Sequence, residues 1–327
     1  MGVQYDLGQN KTYFTYSIMI SIVIPLYNKE QSIVRTLDSV LAQTYKDYEV
    51  IIVNDGSTDN SKQVVEDYIK SSIRLISQSN GGVCSARNRG IQEAKGEYIA
   101  LLDGDDQWDK DYLAEMARMI TDFPKAAMWG INFAEVTNGN QLVRRLATGL
   151  PDDYRGYVED YFGLTKKGRI SDLFCSSSVV VRKEVFDKVG YFDERIKYAE
   201  DTDMWWRIIA RYPVAFYDRY MVFYQFDAEN RALQRTRKFK FFLPCYPDKF
   251  RPFQDNVSFY RYTQRWCANR IRTAYFGLDE DDRKDATIAK NKVDIKVLPL
   301  KYFFLFKLPY PVAKWLHNLD LKRLHKA

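Results

Sequence analysis

The sequence predicts an open α/β sheet of Rossmann-like type. Three observations carry this: short runs of β-branched residues, helical-period segments between them, and turn residues directly after each run. Ile20 to Leu26 and Val50 to Val53 are apolar throughout, as strands buried on both faces are. Between them, Glu30 to Ala42 places Ile33, Val34, Leu37, Val40 and Leu41 at helical spacing. The alternation continues with a helix over 60–69, a strand over 73–77, a helix over 83–94 and a strand over 98–102. Beyond Leu102 the pattern becomes mixed, with a helix over 111–120, strand-like segments over 126–136 and 179–182, and a helix over 203–211. Asn138-Gly139 reads as a hairpin turn. No internal repeat or low-complexity stretch is evident.

The chain has 327 residues, 46% of them hydrophobic and 15% aromatic, which suits one large domain with an appendage. The formal charge of +6 is unevenly spread: from Arg231 onward, 22 Lys and Arg face 9 Asp and Glu, whereas residues 1–230 carry 27 against 34. The basic character therefore belongs to the tail. We place the boundary near 228 and expect residues 1–18 to be an extension outside the fold, 19–228 a catalytic domain, and 229–327 a basic, aromatic C-terminal region. Cys84, Cys175, Cys245 and Cys267 are widely spaced, so neither a zinc site nor a disulfide framework is indicated, and a reducing cytoplasmic setting fits. No apolar run reaches the ~18 residues of a membrane span. The N-terminal stretch lacks the cationic start and small-residue cleavage site of a signal peptide, and Asp6 argues against myristoylation.

In open α/β sheets ligands bind at the carboxyl ends of the strands. There the sequence places Pro25-Leu26-Tyr27-Asn28, Asp55-Gly56-Ser57-Thr58-Asp59 and Asp103-Gly104-Asp105-Asp106. Alone, Asp-Gly-Ser is a common turn followed by a helix cap. Three carboxylates within four residues repel one another unless a cation or hydrogen-bond donors compensate, and a hard divalent ion accepts such oxygens. A solvated acidic turn would look the same. An EF-hand is excluded because Trp108 stands where that loop needs glycine. No G-x-G-x-x-G or Walker A lysine follows any strand, so a nucleotide would be held differently. Asn80-Gly81-Gly82 leads into a helix carrying Arg87, suited to a phosphate or a base edge. Both histidines, His317 and His325, lie at the extreme C-terminus, which leaves carboxylates as the natural general bases in the body of the chain.

Five segments together, Ser21-Ile22-Val23-Ile24-Pro25-Leu26-Tyr27-Asn28, Asp55-Gly56-Ser57-Thr58-Asp59, Ala86-Arg87-Asn88-Arg89-Gly90, Leu102-Asp103-Gly104-Asp105-Asp106 and Glu200-Asp201, resemble family 2 of the inverting glycosyltransferases in order and approximate spacing. The resemblance covers about residues 19–228 and implies a GT-A nucleotide-diphospho-sugar transferase fold. It further implies that Asp55 binds the uracil edge of a UDP-sugar, Pro25 and Tyr27 line the nucleoside pocket, and Arg87 lies near base or phosphates. Asp103 would reach the ribose or sugar, and Asp105 would coordinate Mn²⁺ or Mg²⁺ on the diphosphate. Asp201 would be the catalytic base, with Glu200 beside it as an acceptor contact; Trp205, by its own chemistry, is a candidate apolar platform for an acceptor sugar. Taken by themselves, Glu200 and Asp201 also read as first-turn acids of a helix, and one of Trp205 and Trp206 as core.

The chemistry suits these residue types: a metal neutralises the departing diphosphate, and an inverting displacement needs a base for the acceptor hydroxyl. A sugar-phosphate nucleotidyltransferase would show a Gly-rich basic signature after the first strand, which Asn28-Lys29-Glu30 does not supply. A non-enzymatic relative would be expected to lack the aspartates. In the tail, Lys301 to Tyr310 and then Val312, Trp315, Leu316, Leu319, Leu321 and Leu324 interleave apolar groups with cations. Two readings stay open. One is a membrane-interface segment serving a glycan or lipid-linked acceptor at the inner face of the cell membrane; the other is a packed helical appendage with a solvated basic face. Nucleic acid is disfavoured because no binding module accompanies the charge.

Overall fold

The computed structural model describes residues 2–6, 11–15, 18–68, 73–137, 140–142, 150–164, 173–230 and 238–324. They form two compact units: residues 1–194 with 204–231, and residues 195–203 with 232–327. The division falls inside helix Glu200–Ile209.

Among the described residues, twelve strands occur in chain order: β1 (Gly2–Asp6), β2 (Lys11–Thr15), β3 (Ile20–Leu26), β4 (Tyr48–Asp55), β5 (Ile73–Gln78), β6 (Tyr98–Leu101), β7 (Gln107–Trp108), β8 (Met128–Thr137), β9 (Asn140–Leu142), β10 (Arg155–Tyr157), β11 (Val179–Arg182) and β12 (Val214–Gln225). β1 and β2 pair with each other as a separate two-stranded sheet. The main sheet runs β10-β12-β8-β11-β6-β3-β4-β5, with β7 on β12 and β9 on β8. Its half from β6 to β5 is parallel, and β11 runs antiparallel to both β6 and β8. The mixed character expected beyond Leu102 begins there.

Ile22, Val23, Ile24 and Val50 to Val53 are completely buried, which accounts for their uninterrupted apolar composition. Helix Ile33–Leu41 turns Ile33, Thr36, Leu37 and Val40 inward, one face of a 3.6-residue period. Helix Val83–Glu93 lies close enough to β3 that a Cβ on Gly90 would meet Val23 Cγ1 at 2.3 Å. β12 has no counterpart in the sequence reading. Asp218-Arg219 interrupts its apolar pattern, and its register against β8 shifts between Tyr217 and Tyr220. Asn138 and Gly139 lie outside the described residues, but the strands they join pair antiparallel, Thr137 opposite Asn140.

The second unit is largely helical, with helices Val257–Tyr275, Glu280–Lys290, Leu300–Lys307 and Tyr310–Leu324. Asn256 caps the first by accepting the Phe259 N–H, and Asp279 caps the second by accepting the Asp282 N–H. Phe250, Phe259, Cys267, Ala268 and Ile271 form the centre of its core. No helix among the described residues is long and apolar enough to cross a membrane.

Candidate active site

The carboxyl ends of β3, β4 and β6 are neighbours in the parallel half of the sheet, so the loops after them converge. The chain leaves β3 through Pro25, Leu26 and Tyr27, then turns at Asn28, whose φ of 52° is left-handed and suits asparagine. Asn28 stitches this loop to the one after β4: its Oδ1 accepts the Thr58 N–H at 2.8 Å, and its own N–H donates to Ser57 Oγ at 3.2 Å. The Lys29 N–H donates to Ser61 Oγ at 2.7 Å. The hydroxyls of the Asp-Gly-Ser-Thr segment thus hold two loops together.

Asp55, at the end of β4, is 2% exposed. Its Oδ1 accepts from Gln78 Nε2 at 2.8 Å and from the Gly81 N–H at 2.9 Å; its Oδ2 accepts the Gly82 N–H at 2.8 Å. Three donors satisfy the buried charge and pin the Gly-Gly loop in place. Gly82, with φ +89°, makes the turn into helix Val83–Glu93. That helix carries Arg87, which is 2% exposed and donates to Asp103 Oδ1 at 2.6 Å, its guanidinium 5.4 Å from the Phe192 ring centroid.

The three carboxylates after β6 have separate partners. Asp103 pairs with Arg87, and Asp105 Oδ2 accepts from Lys29 Nζ at 2.6 Å. Asp106 is buried, accepting from Ser177 Oγ at 2.6 Å and the Gln225 N–H at 3.1 Å. Burial, with Asp105 and Asp103 adding to it, pushes Asp106 well above the usual carboxylate range. Asp106 is therefore a structural pin for the loop. Ser177 also accepts the Asp103 N–H at 3.1 Å, and its carbonyl accepts from Trp108 Nε1 at 2.7 Å.

Lys29 Nζ donates also to the Glu229 carbonyl. The Glu229 carboxylate accepts the N–H groups of Gln31 and Ser32, both at 3.1 Å, and the Ser32 hydroxyl. It caps the start of helix Ile33–Leu41, where an anion is favoured. Asn230 Nδ2 donates to the Tyr27 carbonyl at 3.1 Å.

Among the described residues no group of three or more His, Cys, Asp or Glu is arranged to hold a metal ion. Asp103 and Asp105 are hard oxygen donors, and each already faces a cationic side chain. Of the two, Asp105 suits part of the shell of Mn²⁺ or Mg²⁺, which diphosphate and water oxygens would complete.

The structure thus gathers Pro25, Tyr27, Asp55, Arg87, Asp103 and Asp105 in the first unit, at one edge of the sheet. Glu200 and Asp201 open helix Glu200–Ile209 and belong to the second unit. Asp201 is half-buried, its Oδ1 accepting the Thr202 N–H at 2.7 Å, and Ala199 before them has φ 61°. Trp205 and Trp206 are both in the core, each 1% exposed, Trp205 packed edge-on against Phe192. Neither indole offers an open face to a sugar, which corrects the expectation for Trp205. Sequence reasoning passed over Lys29, Gln78, Ser177 and Glu229. Lys29 directly follows a motif and was within reach; Glu229 lies 197 to 200 residues from its partners and has no local signal.

Residues 21–190, more than half the chain, match the model of glycosyl transferase family 2. A glycosyltransferase of Rickettsia typhi, itself described as uncharacterized, is 31% identical over 206 residues, 62% of either chain. The glycosyltransferase EpsJ of Bacillus subtilis, also described as uncharacterized, is 51% identical over 90 residues, 27% of this chain and 26% of its own length. The chain thus spans less than two thirds of either relative. Among solved structures, TarS 1-349 of S. aureus with UDP-GlcNAc superposes with TM-score 0.58 at 20% identity, covering 90% of this chain and 77% of TarS 1-349. The same protein with UDP gives TM-score 0.54 at 21% identity, over 90% and 76%. This likeness is one of fold, of the GT-A type. With residues 21–190 fitting that model, the chain belongs to glycosyl transferase family 2.

Proposed function

We propose that the protein is an inverting glycosyltransferase that moves a sugar from a UDP-sugar to an acceptor hydroxyl in the synthesis of a polysaccharide or cell-surface glycan. The observation that carries this is the convergence of buried Asp55, the Arg87–Asp103 pair and the Lys29–Asp105 pair at the carboxyl edge of the parallel strands. Asp55, already oriented by two glycine amides, accepts from the uracil imide. Pro25 and Tyr27 wall the nucleoside, and Arg87 holds Asp103 against the ribose. Lys29 and Arg87 keep fixed positive charge beside the diphosphate, requiring no reorganisation as its charge grows. Asp105 would hold Mn²⁺ or Mg²⁺, which when bound would supply Lewis-acid neutralisation of the leaving diphosphate. Asp201 takes the proton of the acceptor hydroxyl, with Glu200 beside the acceptor. UDP as the nucleotide is supported by the TarS structures, described with UDP and UDP-GlcNAc.

The C-terminal unit supports peripheral membrane attachment at the cytoplasmic face and a lipid-linked acceptor. Helix Leu300–Lys307 buries Tyr302, Leu305 and Phe306 and exposes Leu300, Phe303 and Phe304, one stripe at i, i+3 and i+4. Helix Tyr310–Leu324 exposes Val312, Trp315 and Leu319 in the same manner. Exposed aromatics among Lys301, Lys307 and Lys314 match the chemistry of an anionic lipid interface.

Asp201→Asn tests the catalytic reading. It is expected to fold and bind UDP but lose transfer by on the order of 10²-fold or more. Near-normal turnover would remove Asp201 from the reaction. Screening UDP-, GDP- and TDP-sugars for metal-dependent hydrolysis identifies the donor, and a preference for GDP- or TDP-sugars would overturn the uridine assignment.

A further inference from the structure

We propose that Lys249 and Asp203 form a buried clamp that positions the Asp201 carboxylate, an inference resting on the reading of Asp201 as the base. The Asp203 side chain is completely buried, and Lys249 Nζ, itself 16% exposed, lies 2.8 Å from its Oδ2. Removing both charges from water carries a desolvation penalty that often equals or exceeds their attraction, so an apolar pair of similar volume would serve stability as well. What such a pair supplies that an apolar contact does not is a fixed direction.

That direction matters because of where Asp203 lies. Asp201 and Asp203 are two apart in the first turn of helix Glu200–Ile209, and residues at that spacing point to different sides of a helix. Anchoring Asp203 inward on Lys249 fixes the rotation of the turn and leaves Asp201 half-exposed. Further ties hold the preceding segment to the same part of the unit. The N–H groups of Lys197 and Tyr198 donate to the Phe241 carbonyl at 2.9 and 3.3 Å, and the Tyr198 ring stacks on Phe242 at 4.9 Å. Ala199, between these ties and the clamp, has φ 61°, a conformation that a residue with a Cβ keeps only when its surroundings over-determine it. The clamp and the backbone ties thus bracket the strained residue that precedes Glu200 and Asp201. Lys249 and Asp203 are positioning residues and touch no reacting atom in this scheme.

The experiment is Lys249→Met, with Lys249→Arg and the doubly neutral Asp203→Asn/Lys249→Met variant alongside it. The readouts are transfer kcat, donor KM, UDP affinity and amide hydrogen exchange across residues 199–203. Losing the clamp is expected to lower kcat by about ten- to a hundred-fold, the scale of a small misplacement of a catalytic group. Donor KM and UDP affinity should stay within about twofold, since donor binding is not altered. Lys249→Arg should regain most of the turnover, and exchange at Thr202 and Asp203 should accelerate in Lys249→Met. If Lys249→Met leaves too little folded protein, the doubly neutral variant, which holds no unpaired buried charge, gives the same comparison. Wild-type kcat in the doubly neutral variant, or unchanged exchange at residues 202 and 203, would overturn the clamp. Wild-type turnover in Asp201→Asn would instead overturn the base assignment, and amide exchange would still measure the clamp.

Discussion

Replacing Gly90 with alanine measures how closely the Arg87 helix is pressed onto the parallel sheet. The new Cβ would stand 2.3 Å from Val23 Cγ1 and 3.3 Å from Val23 Cβ and Cγ2, far inside van der Waals contact. Val23 is completely buried in β3, and its β-branched side chain has little rotameric freedom, so the helix must move outward. Overpacking of this kind costs about 1–3 kcal/mol. Gaining alanine's helix propensity returns about 1 kcal/mol. A contact as short as 2.3 Å places the clash at the upper end of that range, so the net loss is about 2 kcal/mol, a fall in Tm of about 4–8 °C for a unit of this size. Differential scanning calorimetry or urea unfolding checks it, and Gly90→Ala should cost less in a Val23→Ala background than in the parent, because the clashing methyls are gone. A Gly90→Ala protein as stable as the parent, or more so, would show that the helix does not bear on β3 as described.

EDTA should lower transfer by on the order of 100-fold and Mn²⁺ restore it, with Asp105→Ala weakening UDP binding chiefly when metal is present. Equal UDP affinity with and without metal would refute that assignment. Burial pushes the Cys245 thiol up to about 12 and the Cys267 thiol further, and Cys84 is also buried. Iodoacetamide at about pH 8 should therefore label Cys175 first in the native protein and all four thiols only after denaturation. Because burial raises the folded Cys245 thiol above the 9.0 of an ordinary exposed thiol, its contribution is whole below pH 9.0 and is lost as pH rises toward about 12, so urea stability should fall across that window. Equal native labelling of all four would contradict it. Phe303→Ser with Trp315→Ser should reduce sedimentation with anionic vesicles about tenfold or more, by removing two exposed aromatics from the interface. Identical pelleting of variant and parent would end the membrane assignment.

The parallel half of the sheet was legible in the sequence because its strands are buried on both faces. Burial on both sides demands unbroken apolar runs such as Ile20 to Leu26, and these contrast sharply with the polar loops that follow. The loop motifs were legible for a related reason, since Asp55 and Asp103 to Asp106 are charges in places where burial makes charge expensive without partners. β12 escaped because half its residues face less buried surroundings and its register shifts, so no period survives in twelve residues. What the motifs could not convey was who satisfies whom. Asp106 looks identical to Asp105 in sequence, yet Ser177 and the Gln225 N–H make it a structural pin, while Lys29 takes Asp105. Trp205 had the composition of a sugar platform, and only packing against Phe192 puts it in the core. Local sequence determined the parallel strands, their polar ends and the carboxylates of the site, because burial and turn chemistry act over a few residues. Tertiary structure alone decided the partners of each charge, and that Asp201 begins its helix within the C-terminal unit, because hydrogen bonds and ion pairs join residues that the chain brings together across tens to hundreds of positions.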